Sequence, residues 1–178
     1  MTLTDLYTFC DTRYPSITQA RIDEVQAKFC VSLPRDYQDF LLAYNGGYFI
    51  GAVEYPVRDF PVEGANQTLS VNALCGIDAP VSCNNLAATS NLMEMPGDEI
   101  EYLVIGSDPG GFLICLVVIQ DPDYFGIVAL KTFRDWFTIA NSFTEFLALL
   151  RPYSIREEND PSITAALIEM RRIRSDHL

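Results

Sequence analysis

Apolar side chains recur along this chain with two different periods, and the change between them divides it into parts. In the N-terminal third the spacing is helical. Thr4 can cap a short first helix that turns Leu6, Phe9 and Cys10 inward and ends before Pro15. Thr18 can cap a second, in which Ile22, Val25 and Phe29 share one face. A third runs through "LPRDYQDFLLAYNGG", residues 33–47. There Pro34 suits the first turn, Asp36 sits near the positive end of the helix dipole, and Tyr37, Phe40, Leu41 and Tyr44 fall at i, i+3, i+4 and i+7. Asn45 and Gly46 follow where a left-handed C-cap is wanted. The double glycine therefore reads as a helix stop that launches a strand. Glycine loops that hold anions open helices, whereas this one closes a helix.

Beyond Gly47 the period shortens to that of strands. Residues 48–53 and 69–77 read as two strands separated by a stretch with Pro56, Pro61 and Gly64. A short helix fits before Pro96. Three stronger strands are predicted over 100–105, 112–119 and 124–131, joined by "GSDPGG" and "QDPD", both turn-forming and both short enough to make antiparallel neighbours. Ser142-Phe143-Thr144-Glu145 is a capping box opening a closing helix whose buried face is Phe143, Phe146, Leu147 and Leu150. Asp160-Pro161 opens one more helix, striped by Ile163, Leu167, Met170 and Ile173. Helices, antiparallel strands and helices again predict an α+β fold, with helices packed against one mostly antiparallel sheet.

A length of 178 residues fits a single domain, divided here into a core over 1–152 and a helical extension over 153–178. Charge changes the picture more than length does. The formal net charge is −12, and no Lys or Arg occurs between Arg58 and Lys131. From Arg151 onward five Arg balance five acids, so the deficit lies in the first 150 residues. Such a field repels nucleic acid and anionic membrane and speeds encounter with basic partners. The arginine group Arg171, Arg172 and Arg174 complements a helix C-terminus and does not make a nucleic-acid face.

The longest apolar run, residues 112–119, is far short of the ~20 residues a spanning helix needs. The first residues carry acids where a secretory signal would carry basic side chains, which predicts a cytoplasmic protein. Five scattered cysteines with no C-x-x-C pair read as reduced thiols.

Candidate chemistry is thin. The spacing of Gly106 and Gly111 mimics a phosphate loop, but Phe112 and Leu113 stand where Lys and Ser or Thr are required. The single histidine is His177, the penultimate residue, which leaves nucleophile–base systems without their usual base. No calcium-loop or zinc-site spacing is met, so neither metal nor cofactor is expected. What remains is an acidic protein-binding module, not an enzyme.

Three segments together then resemble the SUKH superfamily. They are Leu33-Pro34-Arg35-Asp36-Tyr37 with Phe40-Leu41 and Asn45-Gly46-Gly47; "VIGSDPGGFLICL" over 104–116; and "IANSFTEFLALL" over 139–150. Their order and separation fit, and they span roughly residues 16–152. That resemblance implies an α+β fold and no catalytic residues. The superfamily includes a fungal regulator of cell-wall assembly and many bacterial proteins that are implied to be immunity proteins neutralising cognate toxins, often nucleases. A scaffold or regulatory role with an endogenous partner, like that of the fungal relative, is the alternative. If the partner is a basic toxin domain, the cation-free stretch supplies its docking face, with Asp98, Glu99, Glu101, Asp108, Asp121 and Asp123 as the candidate residues. The stripe of Ile163, Leu167 and Met170 would suit a second copy, in a homodimer, as well as its own core.

Overall fold

The computed structural model describes residues 10, 12–57, 68–81, 84–86 and 102–152. Two helices precede the main run of strands, α1 over Gln19–Phe29 and α2 over Arg35–Ala43. Thr18 caps α1 as its sequence predicts, its hydroxyl accepting from the Arg21 amide, and Ile22 and Val25 are buried. Pro34 sits at the N-cap of α2, one residue earlier than expected, and Tyr37, Phe40 and Leu41 are fully or almost fully buried.

The strands are β1 (Thr12–Arg13), β2 (Gly47–Pro56), β3 (Thr68–Leu74), β4 (Tyr102–Ser107), β5 (Leu113–Val117), β6 (Val128–Lys131), β7 (Trp136–Ala140) and β8 (Arg151–Pro152). Seven of them lie in sequence order across one antiparallel sheet, and β8 pairs with β2. The helix α3 over Phe143–Leu149 follows β7. The α+β architecture with a mostly antiparallel sheet is the one expected.

The predicted strand limits are displaced by a few residues, and two differences are larger. The predicted strand 124–131 begins only at Val128, because residues 121–126 form a turn in which Gly126 has φ of 88°. Strand β7 was not expected at all. Its Trp-Phe-Thr-Ile run is apolar and β-rich, and the Thr132–Asp135 turn before it is a hairpin signal lying between two such runs.

The core joins the helices to the sheet through aromatic rings. Phe143 meets Tyr37 edge-on at 4.8 Å and lies 4.9 Å from Phe40, while Phe146 meets Tyr55 of β2 at 5.8 Å. Such pairs contribute about 0.5–1.5 kcal/mol each beyond the area they bury. The capping box holds in part. Ser142 Oγ accepts from the Glu145 amide, but Glu145 returns its carboxylate to the amide of Asn141, one residue earlier than the pattern implies. The helix predicted from Thr4 to before Pro15 is corrected at its end, where Thr12–Arg13 is strand β1 paired with β2, while its first turns lie outside the described residues, as do the short helix before Pro96 and the helix after Asp160.

Candidate functional site

The double-glycine segment builds a buried joint. Asn45, at φ of 52°, is completely buried, and its amide nitrogen donates to the carbonyls of Pro15 and Ile77 at 2.7 and 2.8 Å. Its side-chain oxygen accepts from the Ile77 amide at 2.8 Å. One side chain thus ties the entry to α1, the end of α2 and the chain after β3. Gly46 and Gly76 have no room for a Cβ, which would lie 2.5 Å from the Leu74 carbonyl oxygen and 1.9 Å from that of Asn45. Here glycine allows two backbones to touch. The joint is structural and holds no site.

Of the six candidate carboxylates, Asp98, Glu99 and Glu101 lie outside the described residues. Asp108 is only 6% exposed. Its Oδ1 accepts from the Phe112 amide at 2.9 Å, and the amides of Gly110 and Gly111 also point at it. Burial raises its carboxyl above the ordinary range despite those three donors. This buried carboxylate closes the β4–β5 turn from within.

Asp121 and Asp123 are different. Asp121 Oδ1 accepts from the Asp123 amide at 2.9 Å, and its carbonyl accepts from the amides of Tyr124 and Phe125. This Asx turn carries Asp123 and Tyr124 on the surface, with Tyr124 55% exposed. At the turn's other side Gly126 faces Pro34, at the start of α2. Arg35, the next residue, is paired to Asp39 at 3.0 Å along its own helix. Asp36 adds a further carboxylate here, bridging α2 to the first turn of α3 by accepting from the Thr144 amide at 2.8 Å.

The sheet keeps the two acidic turns apart. Since β5 runs between them, the Asp108 turn and the Asp121–Gly126 turn stand at opposite ends of its five residues, roughly 17 Å of strand. Asp108 and the Asp121–Asp123 pair therefore lie at opposite ends of that strand.

Elsewhere acids meet the chain's own cations. Arg21 holds Asp78 through two bonds of 2.7 Å and also pairs with Glu24, which keeps the Asp78 carboxyl below its usual range. Glu54, 4% exposed, is paired with Arg151 of β8 at 2.8 Å. Lys131 places its ammonium 4.3 Å over the Trp136 ring and 5.9 Å from the centre of the Tyr102 ring, and those two rings meet edge-on at 4.8 Å.

Tyr124, predicted as the first residue of a strand, stands on the turn instead. The Asp-Pro-Asp before it was the available signal, since an Asx turn lifts the following residue out of the ladder. Among the described residues no group of three or more His, Cys, Asp or Glu could hold a metal ion. Nor, among them, is any helix long and apolar enough to cross a membrane.

Comparison with known proteins supplies the context. No solved structure is a significant match. A SPbeta prophage-derived uncharacterized protein, YokK, of Bacillus subtilis (strain 168) is 28% identical over 165 residues, covering 83% of each chain. The sequence profile of the SMI1 / KNR4 family matches residues 16–149, which embrace both helices of the Asn-Gly-Gly joint, the sheet from β2 to β7 and the closing helix. The chain belongs to the SMI1 / KNR4 family (SUKH-1).

Proposed function

We propose that this protein is an immunity protein that acts by binding, and that it neutralises a basic toxin domain through the acidic turn at residues 121–126. The observation that carries the reading is Tyr124, half exposed between a glycine kink and two aspartates whose turn geometry is fixed by their own backbone. An aromatic side chain held rigid at a surface supplies contact area at little entropic cost, and flanking carboxylates steer a cationic partner toward it. The chain-wide charge of −12 extends that steering beyond contact distance. Many members of the family are immunity proteins, and a prophage-derived relative accords with a gene carried on mobile DNA.

The test is co-expression with the toxin encoded beside the gene, scored by growth. The wild-type chain should restore growth, whereas Asp121→Lys/Asp123→Lys/Tyr124→Ala should not, although it folds. In binding kinetics the two lysines alone should slow association by about tenfold at low salt and flatten its salt dependence. Equal protection by the triple variant would rule the turn out as the docking face.

A further inference from the structure

The joint at Asn45 is structural, and its sequence also carries a reaction. Asn45-Gly46 is the one Asn-Gly pair in the chain. An asparagine followed by glycine readily loses its side-chain nitrogen, because no Cβ shields the backbone amide that attacks it. The Gly46 amide nitrogen, giving up its proton, bonds to the carboxamide carbon of Asn45. The bond from that carbon to the side-chain nitrogen breaks, and ammonia leaves with the proton. Water then opens the succinimide ring. The product is aspartate or isoaspartate, the latter with the main chain rerouted through Cβ.

In the folded chain the reacting groups are held. Both hydrogens of the leaving nitrogen are donated, to the Pro15 carbonyl at 2.7 Å and the Ile77 carbonyl at 2.8 Å. The carboxamide oxygen accepts from the Ile77 amide at 2.8 Å, so the group cannot turn toward Gly46 without breaking bonds. Asn45 is completely buried, out of reach of bulk solvent. Gly46 is fixed as well, with φ of 80° and its Cα packed against the end of β3, where a Cβ would lie 2.5 Å from the Leu74 carbonyl oxygen.

Neither product fits the joint. Aspartate would set a carboxylate oxygen against the two carbonyl oxygens that the amide nitrogen now serves, and bury its charge there. Isoaspartate lengthens the main chain by one carbon beside Gly76, which already lies so close that a Cβ on it would stand 1.9 Å from the Asn45 carbonyl oxygen.

We propose that Asn45-Gly46 makes opening of this fold one-way. Closed, the joint holds the pair unreactive; opened, it releases a deamidation whose products cannot close it again. Time spent unfolded is thereby turned into permanent loss, and the durability of the protein becomes a matter of rate.

Mass spectrometry of the full chain tests this. The chain is held in mildly alkaline buffer, either folded or in concentrated guanidinium chloride, and then digested with trypsin. Fragment 36–58 carries Asn45, and fragment 135–156 carries Asn141, which is followed by serine and exposed in the fold. In denaturant, fragment 36–58 should gain one mass unit before 135–156 does. In the folded chain its gain should be slower by about a thousandfold or more, since the reaction waits on opening. After dilution from denaturant, the fraction of wild type that regains its near-ultraviolet circular dichroism should fall in step with the gain, and the chains that fail to refold should carry it. Asn45→Ala has no carboxamide to lose, so its refolded fraction should hold steady over the same interval. The mass measurements use the wild type alone and stand even if that variant does not fold. A fragment 36–58 that stays unmodified in denaturant, or gains mass equally fast in the folded chain, would overturn the proposal. So would modified chains recovered in the refolded fraction, since the joint would then have closed around the product.

Discussion

A buried polar side chain with every bond made is the feature on which this fold depends most sharply. Asn45→Ala would strand the Ile77 amide and two carbonyls at a fully buried position, and we expect a loss of about 3 kcal/mol in urea unfolding. Tyr55 is the reverse case. Its hydroxyl is buried without a hydrogen-bond partner, and burial, with Asp108 and Cys115 nearby, holds it well above the ordinary phenol range. Tyr55→Phe should be neutral or stabilising by about 1 kcal/mol in the same measurement. Asp78 sets a pH dependence. Its carboxyl is lowered by the Arg21 hydrogen bonds, so its favourable contribution is present above the unfolded value and lost as pH falls through the folded one. The midpoints of wild type and Asp78→Asn should therefore differ at pH 7 and approach each other as pH falls below the ordinary carboxylate range. Little of this could be read in advance. The Asn-Gly-Gly stop was legible as a cap because left-handed residues have few alternatives, but its partners Pro15 and Ile77 are set by tertiary closure, which carries no local signature.

At the scale of elements, two ion pairs of similar length should behave differently. Arg35 and Asp39 are both exposed along one helix, and Arg35→Ala should change stability by no more than about 0.5 kcal/mol. Glu54 is almost wholly buried on β2, so Arg151→Ala leaves a carboxylate with its cation gone and should cost about 2–3 kcal/mol. The comparison is made by denaturant midpoint at constant salt. Helices α1, α2 and α3 were all legible from period and caps. The strands β2 to β5 were legible with ends displaced by a few residues, as turn chemistry fixes existence better than limits. Strand β7 was not legible because a five-residue strand running straight into the cap of the closing helix has too short a pattern to stand out.

For the molecule as a whole, net charge was legible and its arrangement was not. A list of acids between two cations says nothing about which end of a strand each reaches, and here β5 separates Asp108 from Asp121 and Asp123. Linear proximity does not make a surface; topology does. The same topology ties ends together. Asp36 receives the Thr144 amide from 108 positions further along, and Tyr37 and Phe40 wait for Phe143. At ribosomal speeds of about 5–20 residues per second, those rings stay uncovered for roughly 5–20 s while the remainder is made. The early helices cannot be finished before the late one arrives, so the newborn protein passes through an interval in which its stickiest surface is bare. The length of that interval is set by the distance along the chain from Tyr37 and Phe40 to Phe143, so prompt folding calls for shielding those rings until the closing helix emerges.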